Sequence, residues 1–292
     1  MGGLSGAFLL LPFQMSFLNF TSPSVSSTNF LFNIIAIPSG VYRYIKEGRM
    51  AWPLTLVVII GTLPGVFIGY WLRIMYFPDP RAFKLFVGLV LLYIAARLLS
   101  VLKGGSHPGT SRMMSLEEKF KLRSGKLKAA PASGITSGLP PEAVVRTLTV
   151  SFKIIEYEFW GERFAFNTFA MVMLACIVGV IGGIYGIGGG AIIAPICVAV
   201  FHLPVYTVAG AALMGTFLTS IAGVAFYSII PAREGLQTSP DWLLGLLFGA
   251  GGVAGMYLGA RFQKFVPQKT IKILLGLLML VVAFKYILQY FQ

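Results

Sequence analysis

Two glycine clusters are the residues of this chain best suited to bind a ligand. The second, from Gly182 to Gly190, holds six glycines in nine residues, and a shorter cluster opens the chain. Each is followed by a short apolar run, beginning at Ala7 or Ala191. A glycine break inside a membrane helix leaves backbone N–H groups without partners, and the helix that restarts there points its positive dipole end at the break. This pattern favours binding of an anionic group such as sulfite, sulfonate or carboxylate.

Glycines in membrane helices have a second use, which is close helix packing. Packing is the better explanation for two stripes spaced by four residues, Gly61/Gly65/Gly69 and Gly251/Gly255/Gly259. The clusters at 3–6 and 186–190 contain more flexible positions than packing requires. We therefore predict that these two clusters, and not the stripes, contribute to a ligand site.

Uncharged polar residues lie in the first part of the next helix, after the short apolar run that follows each cluster. They include Asn29 and Asn33 in the first half and Thr216 in the second. Such residues can bind an oxyanion without holding a permanent charge in the membrane, although hydrogen bonds between helices are an equally good explanation. The predicted substrate-binding residues are Gly3, Ser5, Gly6, Asn29, Asn33, Gly186, Gly188, Gly189, Gly190 and Thr216.

Motifs for enzymatic chemistry are missing from the sequence. No carboxylate lies in the middle of an apolar run, and no HExxH, Walker or Ser-His-Asp pattern is present. Cys176 and Cys197 have no Cys or His at metal-ligand spacing, and His202 lies at the end of a segment beside a proline. The sequence predicts neither an enzyme nor a bound metal or cofactor.

The two clusters belong to one module that is written twice. Pro12 and Pro195 differ by 183 positions, as do Gly3 and Gly186, and the same offset aligns Asn33 with Thr216. Later landmarks keep the correspondence with slightly larger offsets, at Trp52/Trp242, at the two glycine stripes and at Lys84/Lys272. A duplicated membrane module with a glycine-interrupted helix in each copy indicates a transporter whose site lies between the halves.

The composition supports a polytopic membrane protein, with 57% hydrophobic residues, 11% charged residues and a mean hydropathy of +0.82. A bilayer core requires about 20 apolar residues for each helix. The apolar runs that approach this length are 25–41, 51–72, 83–102, 164–183, 205–230, 242–260 and 271–290. We predict an all-α membrane fold of two inverted repeats, each of about five helical segments with a glycine-broken helix.

The positions of the basic residues support this inverted arrangement. With five passes in each copy, Arg43, Lys46 and Arg49, the ten Lys and Arg residues of 103–163, and the cluster from Arg261 to Lys272 fall on one side. The positive-inside rule makes that side cytoplasmic. Four passes, giving parallel copies, would place the last cluster outside. The net charge of +13 is therefore interpreted as topology and not as a sign of nucleic-acid binding.

The predicted domains are a first membrane repeat (1–102), a cytoplasmic linker and insert (103–163) and a second membrane repeat (164–292). The segment 144–158 is rich in β-branched and aromatic residues, and Trp160-Gly161-Glu162 forms a plausible turn. We expect a small β-ribbon there, serving either as a tolerated insertion or in gating or partner binding. Because the first copy begins inside its cluster, we also expect that its first helix is missing from this chain.

Residues Gly183-Ile-Tyr-Gly-Ile-Gly-Gly-Gly-Ala-Ile-Ile-Ala-Pro195, followed by Ala209-Gly-Ala-Ala-Leu-Met-Gly-Thr216, closely resemble the signature of the TauE/SafE sulfite exporter family. The resemblance covers essentially the whole chain, and the insert Glu156-Tyr-Glu-Phe-Trp-Gly-Glu162 is similar to that of some members. It implies secondary transport of organosulfur or carboxylated anions. The first copy departs from the pattern, with Ser5-Gly6-Ala7 in place of Gly188-Gly189-Gly190.

Three functions remain open at this stage: a secondary anion transporter, an anion channel, and a membrane scaffold that acts through residues 103–163. Paired broken helices favour the transporter. Its expected partners are a small anionic substrate, the lipid bilayer of the plasma (inner) membrane and a possible coupling proton or ion. The sequence indicates neither the direction of transport nor an oligomeric state.

Overall fold

The computed structural model describes residues 6–46, 48, 50–100, 145–159, 161–230, 235–262 and 268–291. Within these ranges the chain is mostly helical, with one small antiparallel sheet. The helices are α1 Ala7–Phe17, α2 Ser24–Ala36, α3 Pro38–Lys46, α4 Trp52–Met75, α5 Pro80–Ser100, α6 Thr168–Tyr185, α7 Gly190–Val200, α8 Val205–Ile229, α9 Trp242–Phe262 and α10 Gln268–Phe291. The strands are β1 Arg146–Val150, β2 Ile154–Phe159 and β3 Glu162–Asn167.

Within the described ranges, five helices are long and apolar enough to cross a membrane, namely α4, α5, α6 and most of α8 and α10. Helix α7 has 11 residues, a length of about 16 Å at 1.5 Å per residue, which is roughly half of a bilayer core. Helix α1 is equally short. The two segments that follow the glycine clusters are therefore half-length helices, as their sequences predict.

The helix boundaries follow the repeat. Helix α1 covers 7–17 and α7 covers 190–200, so both ends differ by 183 positions. Helices α2 and α3 together extend from 24 to 46, which the same offset places on 207–229 of α8. Helices α4 and α5 correspond to α9 and α10. Helix α6 has no counterpart among the described residues.

Two predicted spans differ from the helices that form. The run 25–41 was expected to be one helix, but it divides at Ile37 into α2 and α3, because a proline such as Pro38 is accommodated at the first position of a helix and not in its interior. The run 164–183 begins as a helix only at Thr168, since 162–167 belong to β3. The side chain of Asn167 accepts a hydrogen bond from the Ala170 amide and so caps α6.

Two pairs of corresponding helices, α5 with α10 and α2/α3 with α8, pack against each other in antiparallel orientation. In the α5–α10 pair, Gly88 lies against Ala283 and Tyr286, whereas Gly276 lies against Leu99. The α2/α3–α8 pair shows the same reversal, with Phe30 against Gly223 and Tyr44 against Gly210.

Helix α4, in contrast, runs parallel to α6. The α4 stripe descends along α6 in register, from Gly61 beside Val172 to Gly69 beside Gly183.

The three strands form a meander at one end of the helix bundle, in the order β1-β2-β3. Gly161, at φ 71°, makes the tight β2–β3 turn that the sequence predicts. The inner face of β2 and β3 is aromatic and packs into the main hydrophobic core; its residues are Ile155, Tyr157, Phe159, Phe164 and Phe166. The Val145 amide donates to the Gly48 carbonyl, so this sheet is joined to the loop before α4.

Candidate functional site

The glycine break between α6 and α7 is a tight reversal of the chain. Gly186 (φ 85°) and Gly188 (φ 74°) both have left-handed backbone conformations, which residues with a Cβ rarely adopt. The amides of Gly186 and Ile187 both donate to the Gly182 carbonyl and close the end of α6. Helix α7 then returns beside α6, where the Cys197 Sγ lies 3.6 Å from the Met171 Sδ.

The amides at the start of α7 have no acceptor in the part of the chain that the structure describes. Among the described residues, no carbonyl or side chain accepts a hydrogen bond from the N–H groups of Gly188, Gly189 or Gly190. These are the N–H groups that a helix cannot satisfy internally, and they lie at the positive end of its dipole. Such a group of donors is chemically suited to an anion.

The Cα positions of the same glycines are packed against protein. A Cβ added at Gly186 would lie 2.2 Å from the Ser26 carbonyl oxygen, and one at Gly190 would lie 1.9 Å from that of Ala212. At Gly189 it would meet Thr62 Cγ2 at 2.4 Å. The break therefore needs glycine for close approach as well as for backbone freedom, so that both uses considered from the sequence coexist here.

Two asparagines of α2 form hydrogen bonds at the start of α1 and inside the second break. The Asn29 Nδ2 donates to the Ala7 carbonyl, directly after the first cluster, at 3.1 Å. One helical turn later, the Asn33 Nδ2 donates to the Ile187 carbonyl, inside the second break, at 3.2 Å. Both side chains are fully buried. Helix α2 thus bonds to the start of α1 and to the second cluster, where it places Asn33 beside Ile187.

Helix α8 supplies hydroxyl groups to the opposite wall of the break. Thr216 and Thr219 lie close to Gly188, and both donate to carbonyls of their own helix, those of Ala212 and Gly215. Two fully buried polar atoms, Ser220 Oγ and Asn29 Oδ1, have no partner. Buried polar atoms are normally paired, so these atoms leave hydrogen-bonding capacity at the crossing of α2 and α8.

Three predicted residues stand apart from this arrangement. Gly3 and Ser5 lie outside the described residues. Gly6 is exposed, and its carbonyl accepts hydrogen bonds from the Leu9 and Leu10 amides at the start of α1. The structure therefore brings Asn29, Asn33, Thr216 and the 186–190 cluster around one crossing, while Gly6 contributes a helix start.

Sequence reasoning missed Thr62, whose side chain contacts Gly189. The signal available in the sequence was a threonine one residue after Gly61, within a long apolar run. Another contact that sequence reasoning did not anticipate is the hydrogen bond from the Arg97 Nη2 to the Pro195 carbonyl, at 3.2 Å.

The β-sheet contacts the start of α8 through a hydrogen bond between the Tyr157 hydroxyl and Thr207 Oγ1, at 2.9 Å. Burial raises the pKa of Tyr157, so its hydroxyl stays protonated at neutral pH. Thr207 in turn donates to the Pro204 carbonyl, which leaves Tyr157 as the donor to Thr207. For metal binding, the described ranges contain no cluster of three or more His, Cys, Asp or Glu residues.

Comparison with known proteins gives the family. The profile of the family described as Sulfite exporter TauE/SafE matches residues 1–286. The chain is 23% identical over 296 residues to the probable membrane transporter protein YunE of Bacillus subtilis (strain 168), covering 98% of this chain and 91% of YunE. It is 30% identical over 97 residues to the probable membrane transporter protein YdhB of the same organism, covering 33% of this chain and 37% of YdhB. No solved structure matches it. With helices fit to span a bilayer and a family match over nearly its whole length, the chain is an integral membrane protein of the TauE/SafE sulfite exporter family.

Proposed function

We propose that this protein is a secondary transporter of small organosulfur or organic anions, such as sulfite, sulfonates or related carboxylates. The observation that carries the proposal is that one helix, α2, bonds to the start of α1 through Asn29 and to the second glycine break through Asn33. A site between the two breaks changes its exposure when the halves of the protein rock against each other. That is the alternating-access mechanism of transporters built from repeats with broken helices.

The antiparallel packing of corresponding helices supports an inverted repeat. Two copies related by an axis along the membrane normal keep their corresponding helices parallel, whereas an axis in the membrane plane reverses them. The α5–α10 contacts at Gly88 and Gly276 are reversed, as are the α2/α3–α8 contacts. The parallel α4–α6 pair agrees with the same alternation, since five segments per copy give these two helices one direction.

The chemistry at the breaks favours an anionic substrate. The amides of Gly188, Gly189 and Gly190, which have no acceptor among the described residues, supply donors, and the neutral side chains of Asn33 and Thr216 lie beside them. No carboxylate of the described ranges is buried in the bundle. Neutral donors bind an oxyanion without leaving a charge buried when the site is empty. The proposed site comprises these residues with Asn29 and Gly186, and Gly3, Ser5 and Gly6 on the first-copy side.

Uptake into proteoliposomes tests this function. Purified protein is reconstituted and offered sulfite, thiosulfate, sulfoacetate and acetate, each with and without a proton gradient and a membrane potential. Saturable uptake of at least one of these anions, absent from empty liposomes, is the expected result. Flux that rises linearly with concentration indicates a channel. If none of the anions is taken up, the proposed substrate class is wrong.

Cysteine labelling tests the topology. In a background without Cys176 and Cys197, Arg112→Cys and Lys269→Cys should react with an impermeant maleimide only from the cytoplasmic side. Arg81→Cys, placed in the first turn of α5, should react only from the outside. Labelling of positions 112 and 269 from opposite sides contradicts the inverted repeat and favours four passes per copy. Localisation in the plasma (inner) membrane, with the insert on the cytoplasmic side, belongs to the same proposal.

A further inference from the structure

Arg73, near the end of α4, is a cation buried inside the protein. Its side chain is fully buried, whereas that of Arg81, eight residues later, is exposed. The guanidinium Cζ lies 3.6 Å from the centre of the Phe83 ring, and Nη1 donates to the Phe77 carbonyl. Nε and Nη2 have no hydrogen-bond partner. Burying charged donors without partners is costly, so a ligand that completes them is to be expected.

The chain itself provides no counter-ion in its described ranges, where no carboxylate forms an ion pair with Arg73. The membrane does not supply one either, because the side chain does not reach the surface of the bundle. A single carbonyl acceptor and a ring face are therefore the observed partners of a full positive charge. They account for Nη1 and one face of the guanidinium, and they leave one edge unoccupied.

The unoccupied edge has a specific geometry. Within a guanidinium, Nε–H and the adjacent N–H of Nη2 point in the same direction and form a two-pronged fork. This fork matches two oxygen atoms of one carboxylate, sulfite or sulfonate group, which gives paired, charge-assisted hydrogen bonds. The two nitrogens without partners in Arg73 are this pair.

Arg73 also lies one helical turn beyond the contact of Gly69 with the end of α6. It continues the stripe Gly61, Gly65, Gly69 by four residues, so it shares the face of α4 that packs on α6. Gly69 lies against Gly183 and Ile184, and Arg73 is one turn further along, towards the end of α6. Tyr227, whose hydroxyl donates to the Gly183 carbonyl, is close enough to Arg73 for an electrostatic interaction.

We propose that the Arg73 guanidinium binds the anionic group of the transported substrate through Nε and Nη2, at the end of α4. The inference rests on the proposed transport function and adds to it a permanent charge on the α4 side of the substrate path. Arg73 lies about 16 Å along α4 from Thr62, which contacts Gly189, so it provides selection for anions at a position separate from the amides of the break.

The test is the dissociation constant of the purified full-length protein for sodium sulfite and sodium sulfoacetate, titrated at constant ionic strength. Arg73→Gln should weaken binding about tenfold to hundredfold. Arg73→Lys, which keeps the charge and loses the fork, should fall between this variant and the wild type. Arg81→Gln is the matched control on an exposed arginine and should bind as the wild type does. Each titration uses the folded, monodisperse fraction, with the thermal midpoint recorded beside it.

A purely structural role would lower the thermal midpoint of Arg73→Gln and leave its dissociation constant within twofold of the wild type, which overturns the proposal. If Arg73→Gln does not fold, Arg73→Lys decides by the same criterion. The double variant Arg73→Gln/Glu234→Gln tests for a counter-ion among the residues that are not described. Recovery of both stability and wild-type affinity in that variant would also overturn the proposal.

Uptake by the same preparations separates this inference from the proposed function. Arg73-dependent binding without transport supports the anion site and contradicts the transporter. Transport with an unchanged KM in the folded Arg73 variants supports the transporter and contradicts the role of Arg73. Failure of the wild type to bind either anion contradicts both.

Discussion

Helices α4 and α9 carry the same glycine stripe in corresponding positions, yet the two stripes have different surroundings. On α4, a Cβ at Gly61 would lie 2.5 Å from the Ala175 Cβ, and one at Gly65 would lie 2.3 Å from the Cys176 carbonyl oxygen. On α9, nothing among the described residues lies within 4 Å of a Cβ at Gly251 or Gly255. The difference is α6, which packs along α4 and has no described counterpart along α9.

The comparison shows that a small-residue stripe permits a close helix contact without specifying its partner. The α4 stripe brings α6 near enough to place the break beside Thr62 and Ser26. Its function in the proposed site is therefore indirect, since it fixes the position of α6 and hence of Gly186 to Gly190. The α9 stripe makes no such contact with any described residue.

Substituting matched glycines gives the largest expected contrast. Gly65→Ala should lower the unfolding free energy by about 3 kcal/mol, because the new methyl group meets backbone atoms of α6 that cannot rotate away. Gly255→Ala should leave stability unchanged or raise it by up to about 1 kcal/mol, through the better helix propensity of alanine. Denaturation of both variants in the same detergent measures the contrast.

A large loss of stability in Gly255→Ala would contradict the prediction that nothing packs closely against α9 at this position. It would show that the α9 stripe is covered in the folded protein by another surface. The variant is therefore also a direct probe of what faces α9.

The break itself provides a second contrast, in which glycine meets a side chain and not a backbone. Gly189→Ala should cost about 1 to 3 kcal/mol, because its Cβ would lie 2.4 Å from Thr62 Cγ2. Thr62→Ser removes that methyl group and keeps the hydroxyl that donates to the Val58 carbonyl. The double variant should recover part of the loss, as measured by a double-mutant cycle in thermal unfolding. Strictly additive effects would mean that the two residues do not touch.

The same contact determines which substitutions can report on substrate binding. Gly189→Leu would meet Thr62 before it reached any ligand, so a loss of transport in that variant does not distinguish binding from packing. The asparagine and threonine positions are better probes, because their side chains can be shortened without a clash.

The third prediction compares the α2 and α8 sides of the site. Asn33→Ala should weaken anion binding about ten- to hundredfold and cost only about 1 kcal/mol of stability. Thr216→Val should weaken it less, by about three- to tenfold, because the Thr216 hydroxyl already donates to the Ala212 carbonyl. Dissociation constants of both variants and of the wild type for sulfite and sulfoacetate measure these losses of affinity. Wild-type affinity in both variants removes this pair from the site.

The smallest effect is expected at the β-sheet. Tyr157→Phe and Thr207→Val each remove one partner of a buried hydrogen bond, and the coupling energy between them should be about 1 kcal/mol. Because burial raises the pKa of Tyr157, its contribution is present below pH 10 and is lost as the pH rises above that value. Thermal midpoints at pH 7 and pH 11 should therefore differ less in Tyr157→Phe. A coupling energy of zero would indicate that the sheet is not held by this bond.

The sequence predicts the half-length helices and a small β-ribbon in the insert, because each is encoded locally, by glycine and proline spacing or by β-branched runs. It assigns Asn33 and the second cluster to one predicted site, but not the hydrogen bond between Asn33 and Ile187. It does not predict the division of 25–41 at Ile37, because apolar periodicity continues through Pro38. The contacts of Thr62 with Gly189, and of Arg97 with Pro195, depend on which helices become neighbours. Spacing within one helix does not encode such contacts.

Arg73 is another residue whose surroundings cannot be predicted from the sequence. Its four-residue spacing from Gly69 is visible in the sequence, where it is most simply explained as a basic residue at a helix end. Only the packed structure shows that it is buried, with its guanidinium over the Phe83 ring and Nη1 bonded to the Phe77 carbonyl. Charged residues at the ends of glycine stripes are therefore to be judged after helix packing is known.

Exchange transport is the most direct test of whether this protein is a secondary transporter, because exchange requires a site that opens to one side at a time. Proteoliposomes loaded with millimolar unlabelled sulfite or sulfoacetate are diluted into a trace of the same labelled anion, with the membrane potential clamped at zero. An alternating-access transporter should transiently accumulate the label inside the liposomes above its external concentration. This accumulation should be absent from empty liposomes, and external unlabelled anion should saturate it. Simple equilibration of label, without accumulation and independent of internal anion, would indicate a channel and contradict the account.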